Sequence, residues 1–337
     1  MPHIRSRWSV AGKRFAIALL AALAAAAATR PHYGGTLRVE TRLTPASPEA
    51  LGVPPGFVVS VWEAGRRAVF TADDNAPNGR PFLDAIEIQL GRSLRDQSAD
   101  LELGKTDIVE LGPNELRRQA ANRRVWGTSA IRVMALVFGP RIDDARVRES
   151  LALAVDRAAI QNVLLQKQGE ISGALLPQWV TGYAFLFRAP SDVARARGLA
   201  QAAPQSQRTF SLAADDLANR AIADRIALNA RDAGLTVSMA PSAAAADVRL
   251  VEARIAYPDP PHALAAVAAA LGLAEPPAMR TPEDQYTAER NLLEGFRVVP
   301  LFHLPNLYGY SPRVRGGPVT TPLGEFRFDS LWLEERP

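Results

Sequence analysis

Residues 144–157 read DARVRESLALAVDR, and their pattern is typical of a helix with one buried face. The apolar side chains recur at 3.6-residue spacing, at Val147, Leu151, Ala154 and Val155. Asp143 or Asp144 can cap the first turn, because a short acidic side chain accepts hydrogen bonds from the free N–H groups there. The stretch therefore predicts an amphipathic helix packed on a core.

Strand patterns precede this helix, and a mixture of helices and strands follows it. The predicted strands are 36–42, 57–62, 68–71, 83–90, 108–111, 131–138, 209–213, 236–239, 248–253, 298–304 and 326–333. The predicted helices are 93–103, 113–123, 157–166, 192–203, 217–233, 262–271 and 281–294, and an ordered aromatic loop covers 175–187. This alternation predicts an α/β protein, and the return to strands near the end indicates two lobes between which the chain crosses more than once.

The composition indicates a globular protein. The 337 residues are 47% hydrophobic and 22% charged, with no Cys and four His. This length allows one large core or two ordinary ones, and the composition excludes a disordered tail, a collagen-like fibre and a coiled coil. The absence of Cys excludes disulfide frameworks, thiolate zinc sites and thiol nucleophiles. We expect neither a metal nor a cofactor.

The N-terminus has the order of a secretory signal, a charged start followed by a short apolar run. The charges are Arg5, Arg7, Lys13 and Arg14, and the run 15–28 ends in three alanines. We predict a signal peptide over 1–28 and a periplasmic or other extracytoplasmic location, with an uncleaved membrane anchor as the alternative. Without these four charges the basic residues equal the 35 acidic residues in number. The net charge of +4 therefore belongs to the export signal, and we expect no nucleic-acid partner.

Sequence signatures of catalysis are missing. The chain has no G-x-S-x-G elbow, phosphate loop, H-E-x-x-H pair or G-x-G-x-x-G turn. The histidines His32, His262 and His303 are far apart in sequence, and nothing supports a triad. We expect a protein that is not an enzyme.

Six segments carry a resemblance: GGTLRV (34–39), NGRPFLDAI (78–86), LGKTDI (103–108), DARVRESLALAVDR (144–157), YPDP (257–260) and VPLF (299–302). In this order they resemble the family 5 extracellular solute-binding proteins, the oligopeptide-, dipeptide- and nickel-binding subunits of ABC importers. The resemblance implies a two-lobed periplasmic-binding-protein fold of type II with mixed sheets. It also implies lobe closure around a ligand and docking on the membrane subunits of an importer.

The resemblance also places the lobes and shows where the chain departs from the family. It implies a discontinuous lobe I over 29–138 plus 296–337 and a lobe II over 139–295. Only 43–78 stands where the family carries an extra N-terminal subdomain, which we expect to be missing. Ala253 and Ala256 replace the family's Trp and its acidic residue, which argues against tight peptide binding of the usual kind. Arg254 lies nearby and favours an anionic group.

Seven residues are candidates for ligand binding: Trp179, Tyr183, Arg254, Tyr257, Asp259, Phe302 and His303. For all of them except Arg254 and Phe302, a structural role is the alternative. Aromatic side chains and a histidine among apolar residues are often core, and Asp259 between prolines is typical of a rigid turn.

Two functions from different classes remain. The first is an exported solute-binding protein of an ABC importer, a monomer that binds a peptide or another small polar solute for transmembrane transport. The alternative is a degenerate homologue without a high-affinity ligand that acts as a docking or interaction protein.

Overall fold

The computed structural model describes residues 30–117, 123–316 and 320–334. The predicted signal peptide, 1–28, lies outside these residues. Residues 118–122 of the helix predicted over 113–123 also lie outside them. The strands are β1 Thr36–Glu40, β2 Phe57–Glu63, β3 Arg67–Ala72, β4 Ala85–Gln89, β5 Ile108–Leu111, β6 Arg124–Phe138, β7 Glu170–Ile171, β8 Thr209–Ala214, β9 Thr236–Met239, β10 Val248–Arg254, β11 Val298–Tyr310, β12 Val314–Arg315 and β13 Trp332–Leu333.

The α-helices connect these strands. They are Pro48–Leu51, Leu94–Glu102, Pro113–Arg117, Ala145–Ala154, Arg157–Ala159, Gln178–Thr181, Val193–Ala202, Arg220–Asp232, Pro260–Ala270 and Pro282–Leu293. A π-helical turn, Ile160–Leu164, continues the helix Arg157–Ala159, where the sequence predicts one uninterrupted helix.

One mixed sheet of eleven strands runs through the described residues, in the order β2-β3-β4-β1-β5-β11-β6-β10-β8-β9, with β7 paired to β11. We call β1–β5 the first half of the sheet, β8–β10 the second half, and β6 and β11 the central strands. Parallel pairs occur in each half, β1 with β4 and β5, and β8 with β9 and β10. The central strands run antiparallel to each other and join the halves.

Both central strands are longer than the sequence predicts. The strand predicted over 131–138 begins at Arg124, and the strand predicted over 298–304 continues to Tyr310. The additional residues are polar or mixed, so periodicity misses them. They are strand because Leu307–Tyr310 hydrogen-bond to β5 on one side and to β6 on the other.

Short elements account for the remaining differences. The loop predicted over 43–56 contains the helix Pro48–Leu51, capped by Ser47. The aromatic loop predicted over 175–187 contains the helix Gln178–Thr181 and a 3-10 turn at Ala184–Leu186. The strand predicted over 326–333 is mostly irregular, since only β13 and an isolated bridge between Thr320 and Phe326 form there.

The helix Ala145–Ala154 packs as its spacing predicts. Asp144 is the cap and accepts from the Arg146 backbone N–H at 2.9 Å. Val147 and Leu151 are fully buried in a core shared with Leu136 of β6. That core covers one face of the central strands, and a second core with the helix Pro260–Ala270 covers the other.

The apolar spacing of this helix leaves Arg148 off its buried face and predicts that its side chain points away from the core, but the structure differs. It is buried, and its Nε donates to the Gly295 carbonyl at 2.6 Å and its Nη1 to the Ile142 carbonyl at 2.9 Å. Carbonyl oxygens left free by loops can satisfy a buried guanidinium, which a spacing argument does not reveal.

Candidate functional site

A cavity between the two halves of the sheet encloses about 150 Å³, and we call it the cleft. The first half, the second half and the central strands all contribute to its lining, which includes Arg42, Glu110, Gly112, Asn114, Arg132, Asp216, Asn219, Glu252, Leu304, Asn306 and Tyr308. Two guanidiniums and three carboxylates thus meet at one place from distant parts of the chain. The cleft therefore carries both signs of charge.

An ion pair crosses the cleft from the first half to the second. Arg42 Nη1 lies 3.1 Å from Asp216 Oδ2. The Arg42 backbone N–H donates to Glu110 Oε2 at 2.7 Å, and its Nε lies 3.6 Å from the same oxygen. Asp216 caps the turn that follows β8 by accepting from the Ala218 N–H at 2.9 Å. Each partner is therefore anchored in its own half, and the pair holds the halves together.

A second charged network lies on the strands. Arg132 of β6 pairs with Glu252 of β10, and its Nη2 donates to the Pro305 carbonyl at 2.8 Å. Asn219 Nδ2 donates to Glu252 Oε1 at 2.7 Å. The Arg132 Nε is buried without a hydrogen-bond partner. Leaving a buried polar group unsatisfied is costly, so this network carries a hydrogen-bond donor that the described side chains do not use.

Glu110 and Tyr308 complete the charged wall of the first half. Glu110 Oε1 accepts from the Thr41 hydroxyl at 3.0 Å, which leaves the carboxylate well fixed. Tyr308 is buried, and burial raises the pKa of its phenol. The hydroxyl lies 3.4 Å from the Asn306 amide and stays protonated at neutral pH, so it remains a donor.

Three predicted ligand residues lie across the sheet from the cleft. Trp179 donates from Nε1 to the Ala130 carbonyl at 2.8 Å. Tyr183 is buried in an aromatic cluster, 5.7 Å from the Tyr286 ring centroid. His303 lies against the backbone of residues 174 and 175, and burial lowers its pKa to about 4, so it is neutral. None of the three lines the cleft. For His303, on β11, the sequence does not identify which sheet face is open, because successive strand residues point to opposite faces.

The other four predicted residues differ in their relation to the cleft. Arg254 shares a sheet face with Glu252, and its Nη2 donates to the Leu323 carbonyl at 3.2 Å. Its positive charge acts on the phenol of Tyr308, which lines the cleft, but Arg254 itself is not a lining residue. Phe302 is fully buried in the core on that side.

Tyr257 and Asp259 belong to a helix start. Asp259 caps the helix Pro260–Ala270 by accepting from the His262 N–H at 3.2 Å, and it also contacts the His262 ring. Tyr257 is exposed beside His262. The structural alternative for Asp259, a turn residue bound to nearby backbone, matches this geometry.

Sequence reasoning missed Arg42, Glu110, Arg132, Asp216 and Glu252. Three of them carried a signal. Glu110, Arg132 and Glu252 each lie between two apolar residues of a strand, and a charge on a strand inside a sheet has to be paired or to line a cavity. Arg42 and Asp216 lie in loops, and no local pattern links them.

Among residues 30–117, 123–316 and 320–334, no group of three or more His, Cys, Asp or Glu side chains could hold a metal ion. Over the same residues, no helix has the length and apolarity needed to cross a membrane.

The described residues thus form two halves of one sheet, joined by two central strands, with a charged cleft between the halves. A family model described as bacterial extracellular solute-binding proteins, family 5 Middle, matches residues 52–268. The chain therefore belongs to family 5 of the bacterial extracellular solute-binding proteins, as the six segments indicate. No match was found among the curated proteins.

Solved structures share the fold at low sequence identity. The substrate-binding protein CtaP of an ABC transporter from Listeria monocytogenes is 14% identical, with a TM-score of 0.69 over 83% of this chain and 66% of that one. The periplasmic binding protein DppA from Helicobacter pylori, solved with the peptide STSA, is 13% identical, with a TM-score of 0.68 over 83% and 63%. NikZ from Campylobacter jejuni, solved with Ni(L-His), is 15% identical, with a TM-score of 0.62 over 80% and 65%.

This chain spans slightly less than two thirds of the length of each of these proteins. The difference is consistent with the predicted loss of an N-terminal subdomain, since only residues 43–78 occupy that position here. The fold class predicted from sequence is confirmed, a mixed α/β protein built on a large mixed sheet.

Proposed function

We propose that this protein binds a small polar solute, a peptide or another charged molecule, in the cleft and delivers it to the membrane subunits of an ABC importer. The observation that carries the proposal is the charged lining drawn from both halves of the sheet. A solute with groups of both signs can replace the partners of Arg42, Asp216 and Arg132 without leaving a charge unpaired. The protein performs no chemistry in this role, in keeping with its family.

The first half belongs to lobe I, 29–138 with 296–337, and the second half to lobe II, 139–295, and the central strands of lobe I act as the hinge. The pairing of β11 with β6 is irregular between Pro300 and Phe302, between Leu304 and Pro305, and between Pro305 and Leu307. Such irregularities interrupt a ladder and bend a strand, so they allow a change in angle between the lobes. Solute binding then shifts an open–closed equilibrium, and the importer recognises the closed form.

Export supports the same function. The segment 1–28 is a signal for secretion in this proposal, and the family is described as extracellular. A solute-binding protein has to meet its ligand outside the cytoplasm. The protein acts there as a monomer, either free after cleavage or held by an uncleaved signal.

One observation favours the second candidate, a homologue that has lost high-affinity binding. The cleft encloses about 150 Å³, whereas small-molecule sites typically enclose about 300–1,000 Å³. The Arg42–Asp216 pair has to open before a peptide fits. A protein that never opens would keep the fold as a docking or interaction module.

Thermal unfolding of the purified protein separates the two candidates. The panel is di- to pentapeptides, nickel chelates, sugars and anionic solutes. A ligand bound only by the folded state adds about 2.7 kcal/mol at a hundredfold excess over its dissociation constant, and this raises the midpoint. We expect one ligand class to raise the unfolding midpoint of the wild type. The same class should leave the midpoint of Glu252→Gln unchanged.

Glu283→Gln is the matched control, because Glu283 is exposed on the helix Pro282–Leu293 and lies outside the cleft. Cooperative unfolding with no shift from any member of the panel would refute solute binding and favour the second candidate. A shift that survives Glu252→Gln would place the ligand elsewhere.

A further inference from the structure

A second cavity, of about 400 Å³, lies away from the cleft and shares no lining residue with it. Its walls are the end of the helix Ala145–Ala154, the segment 186–190 and the start of β11. Most of the lining is apolar and includes Ala152, Leu153, Leu186, Phe187, Pro190, Leu293, Phe296, Val298 and Val299. We call it the rear pocket. Its volume falls within the typical range of small-molecule sites, about 300–1,000 Å³.

A buried guanidinium lies in the wall of the rear pocket. Arg157 is 5% exposed, and among the described residues it forms no ion pair within 4 Å. Its Nη1 donates to the Ala152 carbonyl at 3.0 Å and its Nη2 to the Pro300 carbonyl at 3.4 Å, whereas its Nε has no partner. Burial lowers the pKa of Arg157 to about 10, so the group is still charged at neutral pH. An uncompensated buried charge favours an anion nearby.

A second arginine at the pocket is free to contact a ligand directly. Arg188 is exposed, and in the described part of the chain no hydrogen bond or ion pair engages its side chain. The third arginine of the lining, Arg195, is already paired with Glu149. The charged side chains of the pocket therefore include three arginines and one glutamate, which leaves an excess of positive charge.

Exposed apolar side chains surround the same opening. Leu186 lines the rear pocket and is 52% exposed. Phe185 is 70% exposed and lines an adjoining depression that shares Phe187 and Arg188 with the pocket. Adjacent apolar side chains left in water at the mouth of an apolar cavity indicate a surface that a ligand covers.

We propose that the rear pocket binds an amphipathic monocarboxylate, with its carboxylate on the Arg188 guanidinium in the field of Arg157 and its apolar tail along Leu153 and Leu186. One free guanidinium matches one carboxylate through two parallel hydrogen bonds. The apolar walls exclude a ligand that is charged throughout. This site is independent of the cleft and of the solute that the cleft binds.

Isothermal titration of the full chain with decanoate, below its micelle concentration, tests the proposal. Decanol and decyltrimethylammonium share the tail and lack the anion. We expect decanoate to bind and both of the others to bind at least about tenfold more weakly, because hydrogen bonds to charged groups are among the strong ones. Arg188→Ala should weaken decanoate by a similar factor and leave decanol unchanged.

Arg225→Ala is the matched control, since Arg225 is exposed on the helix Arg220–Asp232, outside both cavities. It removes the same charge and should leave decanoate affinity unchanged. Equal binding of decanoate and decanol, equal losses in the two arginine variants, or no heat of binding would each overturn the proposal. Loss of decanoate binding with Glu252→Gln would also overturn it, because that variant changes the cleft alone.

Discussion

Replacing Glu289 with Gln should remove a pH dependence of stability that this carboxyl imposes. Glu289 is fully buried on the helix Pro282–Leu293, where its Oε1 accepts from the backbone N–H of Leu175 at 2.6 Å and of Leu176 at 3.1 Å. The Tyr183 phenol faces the carboxyl. Burial outweighs the hydrogen bonds and raises the pKa from 4.5 to about 7.

The magnitude follows from this shift. Each pKa unit corresponds to about 1.4 kcal/mol, so the difference between 4.5 and about 7 amounts to about 3 kcal/mol. Because the folded-state pKa is raised, the stabilisation is fully present below pH 4.5, where both states are protonated. It is lost as the pH rises through 7, since the unfolded state releases its proton first.

Denaturant unfolding of the wild type and Glu289→Gln from pH 4 to 8 measures this contribution. The amide keeps an oxygen for both N–H groups and carries no charge. We expect the free energy of unfolding of the variant, relative to the wild type, to rise by up to about 3 kcal/mol between pH 4.5 and 7. Glu283→Gln, an exposed change on the same helix, should show no such rise. Parallel curves for the wild type and Glu289→Gln would refute the reasoning.

Three further outcomes are expected. Arg42→Ala and Asp216→Asn should each cost less than about 1 kcal/mol of stability, because both partners are roughly 40–45% exposed. Both variants should widen the cleft in small-angle scattering, and an unchanged profile would contradict a closing role for this pair. Asp144→Ala should cost about 1 kcal/mol in thermal unfolding by removing a helix cap, and Asp144→Asn should recover most of it. The wild type should lose stability between pH 6.5 and 4, because the folded-state pKa of His303 is lowered to about 4 and the unfolded chain takes up the proton first. His303→Gln should reduce this loss. Equal losses of unfolding free energy in the wild type and the variant over this pH range would contradict the prediction.

Local sequence patterns predicted the helices and strands that bury only one of their faces. The helix Ala145–Ala154 begins one residue after its acidic cap, because apolar spacing and capping act within a few residues. The strands β3 and β4 follow the same rule, since their alternation reports which side is buried. The central strands exceed their predicted length because pairing with neighbours on both sides, and not apolar periodicity, sets their ends.

Local sequence patterns could not predict the cleft, because its residues come from distant parts of the chain. Arg42 and Asp216 are 174 residues apart, and their contact exists only because the chain order of the halves brings two loops together. Trp179 and Tyr183 were predicted to bind a ligand only because they are aromatic. Their side chains pack on the opposite face, and a residue type does not report a sheet face.

The position of β11 also governs how this chain completes its fold. It lies between β5 and β6, which are close in sequence, so both present open edges until residues 298–310 arrive. During synthesis the central gap therefore stays unfilled until more than 300 residues have emerged. Pairings of such long range form slowly, and unpaired strand edges are prone to association. A chaperone that shields the edges of β5 and β6 would act on the stage at which this protein is most exposed to aggregation.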